Sequence, residues 1–390
     1  MTVLDNHHFF GMLEMMSPMK ILLLGALLLP TYFCIAIWKR KHRLGMRRQT
    51  LDFSKVQPLP EFKPEDTSPY PYRPWTAGKY NMTMGLRKMP ADEWLIIDSL
   101  YKEEQVLRRH LLKTNRQGVM QCLPTAEKAC EEALECIVNF LIERYPSQFK
   151  LLTNRPGFIY NGITARNFKI TKPYEQHPLE VAAQLVMEDI NLLLQGAGND
   201  QLDYCLCASF SMAPAGWYLQ ERIGWPIWRI HGPVPLWEEK LRKAMQKYAP
   251  VKCKLFRQTD RTRFFLGLKI ESPVQRNNYF IQMDKTMFQQ EPFPAASLHQ
   301  LQVEDVHIRH ERQTLRRLPR SGAVMFMVRT YLTPLTILKE EKQNLFALRN
   351  AVSAWPAEMA KYKGRHAWGE VLSEFCGTVL KNYISEGSIE

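Results

Sequence analysis

The clearest indication of the architecture is the sequence VHIRHERQTLRRLPRSGAVMFMVRTYL, residues 306–332. Two runs within it, 306–315 and 323–332, have the length of strands, and the second is rich in apolar and β-branched residues. They are separated by Pro319-Arg320-Ser321-Gly322, residue types that form tight turns. The stretch therefore predicts an antiparallel β-hairpin.

The second strand of this hairpin contains an arginine among apolar neighbours. In strand alternation Met325, Met327, Arg329 and Tyr331 share one face. A guanidinium in such a position requires an anion. The candidates are Glu188, Asp189 and an anionic group on a ligand, so Arg329 is expected either in a structural ion pair or at a binding site.

The rest of the chain contains further strand and helix patterns. Further strands are predicted at 204–212, 262–270 and 277–283, and a strand pair at 158–170 turns around Asn161-Gly162. Helices are predicted at 91–112, 125–145, 179–194, 345–363 and 368–384. Because there is no internal repeat and no strand–helix–strand alternation, we expect an α+β fold with an antiparallel sheet and flanking helices.

The predicted helix 179–194 has apolar residues on two sides. Glu188 lies within one apolar stripe and Asp189 flanks the other, so at least one carboxylate is expected to be buried. Such a group needs a cationic partner or a raised pKa. A structural ion pair with Arg329 and a role in proton handling remain equally open.

His231 lies in the sequence IHGPVP, residues 230–235. The glycine and the two prolines after it constrain the backbone, and a rigid imidazole suits an axial metal ligand. Residue types alone favour a histidine that is satisfied within the core. The eight cysteines form no CxxC pair, which indicates a reducing compartment, and Cys205 and Cys207 are predicted to be a buried thiol pair.

Residues 21–38, ILLLGALLLPTYFCIAIW, carry no charge and predict a transmembrane anchor after a short tail, 1–20. A buried core helix is the alternative. Six of the net +13 charges directly follow the anchor, so the positive-inside rule places the main domain in the cytoplasm, with the endoplasmic reticulum as the expected membrane. Little basic excess is left elsewhere, and no nucleic-acid partner is predicted. Residues 39–79 are expected to form a basic juxtamembrane segment and a proline-rich linker.

Several segments together resemble the haem-dependent oxidative N-demethylase family. They occur in the family's order and are 84–87 (MGLR), 94–98 (WLIID), 177–189 (HPLEVAAQLVMED), 230–235 (IHGPVP), 311–319 (ERQTLRRLP) and 329–332 (RTYL). The resemblance covers roughly residues 80–335 and leaves the closing helices, 336–390, as a C-terminal extension. The membrane-anchored form is similar to fungal members.

The resemblance implies a PAS-like domain that holds haem b and demethylates a small secondary amine, releasing formaldehyde. The reaction consumes O₂, and NADPH supplies electrons through a separate flavin and iron–sulfur reductase. His231 is implied as the proximal iron ligand, with His177 as second choice. Glu188 or Asp189 would bind the amine or relay protons, and Arg329, with Gln313 and Tyr331, would polarise oxygen or bind a haem propionate.

Three departures from the family pattern bear on the substrate. Extra residues occur in SFSMAPAGW, 209–217; Asn278 is followed by Tyr279 where tryptophan is usual; and 186–189 read VMED instead of VQED. Two other functions remain open on the same sequence. One is a haem-based gas or redox sensor without turnover, and the other is a haem-free, membrane-tethered interaction domain.

Overall fold

The computed structural model describes residues 51–69, 72–75, 78–196, 203–241, 263–291 and 301–385. The predicted tail and anchor lie outside these ranges. Among the described residues, no helix has both the length and the apolar character needed to cross a bilayer.

The predicted hairpin is present and forms part of a seven-stranded antiparallel sheet. Its two strands pair continuously from Val324 opposite Arg317 to Pro334 opposite His307. The sheet order is β1-β8-β9-β10-β6-β7-β2, and a separate three-stranded sheet has the order β3-β4-β5. The strands are β1 (Arg87–Lys88), β2 (Met120–Cys122), β3 (Phe149–Leu151), β4 (Phe158–Asn161), β5 (Arg166–Lys169), β6 (Asp189–Gln195), β7 (Tyr204–Phe210), β8 (Val274–Gln282), β9 (His307–Arg317) and β10 (Val324–Pro334).

The prediction of one helix over 179–194 is wrong. The chain forms a six-residue helix, Pro178–Ala183, and then enters β6, which pairs with β10 on one side and β7 on the other. A strand in the middle of a sheet is covered on both faces, so it reads as an apolar run. The apolar character on two sides of the supposed helix therefore came from a buried central strand.

Helices surround the sheets. They are α1 (Tyr101–Thr114), α2 (Arg116–Val119), α3 (Glu127–Arg144), α4 (Pro178–Ala183), α5 (Leu219–Arg222), α6 (Ile227–Ile230), α7 (Arg263–Gly267), α8 (Lys342–Ser353), α9 (Ala357–Tyr362) and α10 (Arg365–Ser385). The strand predicted at 262–270 is wrong, because its described part contains α7. Phe264, Phe265 and Leu268 are buried there at a spacing that suits a helix, and short apolar runs do not distinguish the two structures.

The predicted linker and C-terminal extension both pack into cores. Phe53 and Val56, from the proline-rich segment, belong to the largest apolar cluster, which contains much of α3. This segment differs from the extended spacer that its prolines indicate, because its apolar side chains are buried. The closing helices α8 and α10 form a second cluster with residues of β8 and β9.

Candidate functional site

A cavity of about 570 Å³ lies against one face of the seven-stranded sheet. This volume falls within the range of about 300–1,000 Å³ that is usual for small-molecule and cofactor sites. Successive side chains of a strand point to opposite faces. The cavity face is accordingly formed by alternate residues of β6, β9 and β10: Asp189, Asn191, Leu193, Glu311, Gln313, Phe326 and Val328.

His231 lines this cavity at the end of α6. Its Nδ1 lies 2.9 Å from the carbonyl oxygen of Ile227, and its ring stacks on Trp237 with centroids 4.5 Å apart. A carbonyl oxygen only accepts hydrogen bonds, so Nδ1 carries the proton and Nε2 keeps its lone pair. Burial lowers the pKa of His231 to about 4, which keeps the ring neutral at pH 7. A neutral imidazole held in this tautomer is the form that ligates metals.

A polar row crosses the cavity face from β8 to β9. The carboxylate of Glu311 accepts hydrogen bonds from the side-chain amides of Asn278, at 3.3 Å, and Gln313, at 3.0 Å. Its other oxygen accepts from Nε of Arg309 at 3.2 Å. Glu311 therefore fixes the orientation of two amides that line the cavity.

Lys363 approaches the cavity from the turn between α9 and α10. Its Nζ donates to the carbonyl oxygen of Tyr279 at 2.5 Å, and it lies 4.3 Å from the ring centroid of Phe280 and 5.4 Å from that of Trp355. Burial lowers the pKa of Lys363 to about 7, although Glu311 opposes that shift. The amine is thus able to gain or lose a proton near neutral pH.

Three donors in the cavity wall have no hydrogen-bond partner within the described ranges. They are Nε1 of Trp75, Nε1 of Trp237 and Nε of Arg276, all of which are buried. Buried donors usually have a partner, so these three point to a ligand that brings acceptors. Among the described residues, four basic and two acidic side chains line the same space: Lys79, Arg222, Arg276, Lys363, Asp189 and Glu311. The basic excess favours an anionic ligand group such as a carboxylate.

Asp189 is held by the loop that follows β7. Its carboxylate accepts from the backbone N–H groups of Met212, at 2.9 Å, and Ala213, at 3.0 Å, and from the hydroxyl of Ser211 at 2.9 Å. Nη2 of Arg108 lies 3.7 Å away. With its acceptor positions engaged in this way, Asp189 shapes the cavity wall by fixing the loop.

Three other predicted site residues do not line the cavity. Arg329 and Tyr331 lie on the opposite face of β10 from Phe326 and Val328, and Glu188 precedes β6 on the opposite parity from Asp189. Glu188 is buried, and Oε1 accepts from the backbone N–H of Ile96 at 3.3 Å. Burial raises the pKa of Glu188, although Arg329 opposes the effect.

The expectation that Arg329 pairs with Glu188, Asp189 or a ligand anion is corrected. The guanidinium donates to Glu104, and Nη2 donates to Oδ2 of Asp98 at 3.0 Å. Both carboxylates come from the segment around the start of α1, more than 200 residues away in the chain. That distance is why sequence patterns around Arg329 do not reveal its partners.

His177, the second-choice ligand, also lies away from the cavity. It caps α4, where its Nδ1 accepts from the backbone N–H of Leu179 at 3.1 Å, and its Nε2 lies 3.1 Å from Glu127. Of the two histidines proposed for the iron, only His231 therefore lines the cavity described above.

The sequence reasoning missed Arg276, Trp237 and Lys363. Lys363 lies beyond residue 335, where we placed the end of the domain, and nothing in the local pattern distinguishes it from a solvated lysine. Arg276 was detectable in principle, since strand alternation places it on the same face as Asn278, a residue already marked as a departure.

One protein-family model covers most of the chain. The model of the haem-dependent oxidative N-demethylase, alpha subunit-like family matches residues 85–373. The chain belongs to this family. The match extends well beyond residue 335, so α8, α9 and the lysine between α9 and α10 lie within the family region.

Two of the departures from the family pattern lie in the cavity wall. Asn278 and Tyr279 line it from β8, and Ser211, Ala213 and Trp217 line it from the altered segment 209–217. Residues at two of the three departures therefore lie where a ligand would make contact.

Proposed function

We propose that the protein is a haem-dependent oxidoreductase that demethylates a small secondary amine with O₂ and releases formaldehyde. The observation that carries this proposal is the placement of His231 in the cavity, with Nδ1 bound to a backbone carbonyl and Nε2 left with its lone pair. Family membership supplies the reaction class, and the cavity supplies a site of matching chemistry.

The residues present fit a haem b. His231 would ligate the iron, and apolar side chains of the wall, including Leu193, Leu206 and Phe326, would contact the flat ring. Arg276 and Trp237 would offer the propionate carboxylates buried donors that have no partner among the described residues. When bound, haem activates O₂ for two-electron oxidation of a substrate, with electrons supplied from outside the chain.

The other residues of the cavity suit a small amine. The rings of Trp217, Tyr279 and Trp355 line the space, and aromatic faces bind ammonium groups. Glu311 provides a carboxylate beside them. Lys363, whose pKa is about 7, holds or releases a proton at Nζ, so we assign it and Glu311 to proton handling.

The remaining predicted residues receive revised roles. Gln313 lines the cavity and is oriented by Glu311, which suits a contact with substrate or bound oxygen. Asp189 positions the loop 211–213. Arg329, Glu188 and Tyr331 lie behind the wall, and we assign them to supporting it.

We propose on the basis of strand order that the domain is PAS-like. The five long strands lie side by side in the order β7-β6-β10-β9-β8. If they are numbered 1 to 5 along the chain from β6, this order is 2-1-5-4-3.

The proposal also covers the electron source and the membrane. The words "alpha subunit-like" fit a chain that receives electrons from a separate NADPH-dependent reductase. The apolar segment 21–38 and the basic residues after it support a single-pass anchor in the endoplasmic reticulum, with the domain in the cytoplasm.

The test is haem binding followed by turnover. The full chain, expressed with haem supply, is expected to show a strong Soret absorption that is lost or shifted in His231→Ala and kept in the matched control His177→Asn. With a reductase and NADPH, small secondary amines should then yield formaldehyde. A Soret band without amine-dependent formaldehyde would favour a haem-based sensor. A folded, colourless protein would favour the other alternative, a haem-free, membrane-tethered interaction domain.

A further inference from the structure

A second polar cluster lies at the edge of the seven-stranded sheet, apart from the cavity. It joins Cys122, at the end of β2, to Cys130, on α3, and to His177, the cap of α4. The Sγ atoms of the two cysteines are 3.6 Å apart, and potential ligand atoms of all three residues lie within 4.8 Å of one another.

The two thiols differ in accessibility. Cys122 is partly exposed and lines a surface cleft with Arg116, Gln121 and His177, whereas Cys130 is buried. A hydrogen bond from Cys130, with a smaller contribution from His177, lowers the pKa of Cys122 to about 6. The same neighbourhood raises the pKa of Cys130. One thiol is thus accessible as a thiolate, and the other is kept protonated beside it.

The orientation of His177 argues against a zinc site. Its Nδ1 accepts the N–H of Leu179, so the neutral ring carries its proton on Nε2, the nitrogen that faces Glu127. A histidine ligand must offer an unprotonated nitrogen to zinc. An Nε2–H group instead suits a donor to a thiolate or a carboxylate.

We propose that Cys122 and Cys130 form a redox-active pair that reduces hydrogen peroxide and closes to a disulfide. The Cys122 thiolate attacks one oxygen of peroxide, the O–O bond breaks, the other oxygen leaves as hydroxide, and a sulfenic acid forms on Cys122. The sulfur of Cys130 then attacks the Cys122 sulfur, the S–O bond breaks, and a second hydroxide leaves. With the two thiol protons the products are one disulfide and two waters. The disulfide ties β2 to α3, and a dithiol or thiol reductant reopens it.

The experiment uses the full chain, reduced and freed of reductant, then treated with hydrogen peroxide. Free thiols are blocked with N-ethylmaleimide, and the digest is mapped by mass spectrometry. We expect a Cys122–Cys130 disulfide, and in Cys130→Ser a dimedone-reactive sulfenic acid on Cys122 instead. Cys136→Ser, on the same helix, is the matched control and should still form the disulfide.

A second readout needs no oxidation. Alkylation of Cys122 by iodoacetamide should reach half its maximal rate near pH 6, and His177→Asn should move that midpoint upward, since an asparagine still caps α4 but lacks the imidazole. A midpoint near the ordinary value of about 8.5 in the wild type would overturn the proposal. So would one zinc per purified chain that is lost in Cys130→Ser, because the cluster would then be a metal site.

Discussion

Two groups of buried charges lie on opposite faces of the same sheet, and they are built differently. On the core face, Arg329 is paired with Asp98 and Glu104 within the fold. On the cavity face, Arg276 and Lys363 form no ion pair within the described residues, and the contacts of Lys363 are a carbonyl oxygen, an amide oxygen and aromatic rings. The first group is compensated by the protein itself, whereas the second keeps part of its binding capacity for something else.

The pKa shifts follow the same division. Burial disfavours the charge of Arg329, yet Glu104, Tyr331 and Asp98 together raise its pKa above the ordinary value for arginine. Burial prevails at Arg276 and Lys363, whose pKa values are lowered. A compensated group indicates a structural role, and an uncompensated group that faces a cavity indicates a functional one.

The largest expected effect comes from Arg329→Met. Removal of the guanidinium leaves two buried carboxylates without their cation, so the free energy of unfolding should fall by about 3–5 kcal/mol. Urea denaturation at pH 7 measures it. The matched control Arg276→Met should lower the free energy of unfolding by less than about 1 kcal/mol, since it removes an uncompensated charge. Equal losses in the two variants would show that the two faces do not differ in this way.

Lys363→Met should stabilise the protein, whereas Arg329→Met should destabilise it. At pH 6 we expect the variant to be more stable than the wild type by about 1–3 kcal/mol, because the buried ammonium is replaced by an apolar chain. The pKa of Lys363 is about 7 in the folded protein and 10.5 by reference, so between these values the unfolded chain binds a proton that the folded chain does not. As the pH rises across this window, the free energy of unfolding of the wild type should therefore increase relative to that of the variant by up to about 1.4 kcal/mol per pH unit.

Denaturation series from pH 6 to pH 10 test this slope. Lys102→Met is the matched control, because Lys102 and its partner Glu65 are both more than half exposed. Its stability difference from the wild type should hardly change with pH. A flat difference for Lys363→Met as well would mean that Lys363 titrates at an ordinary pKa in the folded protein.

The same comparison explains what the sequence revealed. Local patterns were sufficient to predict the hairpin of β9 and β10. They also predicted that Arg329 requires an anion, because both predictions depend on alternation within one strand. They failed for β6, where a central strand and a helix apolar on two sides give the same run of residues. They also failed for Asp98, Glu104 and Lys363, since only the folded chain brings these distant segments beside the sheet.

The placement of His231 had a different basis. Its residue type favoured an ordinary core histidine, and it was the family resemblance around residues 230–235 that indicated a ligand. The structure adds what neither could provide, namely the cavity, the carbonyl of Ile227 that sets the tautomer, and the stacked ring of Trp237.

The smallest expected effect is that of Trp237→Phe, and it tests the cavity face most directly. Phenylalanine keeps an aromatic ring beside His231 and removes the buried Nε1–H, which has no partner among the described residues, together with the second ring of the indole. Stability should fall by about 1–2 kcal/mol, because the smaller side chain leaves unfilled space, although no hydrogen bond within the described residues is lost. Affinity for haem should fall by about three- to tenfold if that donor binds a propionate, which corresponds to one ordinary hydrogen bond. Titration of the apoprotein with haem measures the affinity, and urea denaturation of the same samples measures the stability. A loss of stability without a loss of affinity would remove Trp237 from the cavity's ligand contacts.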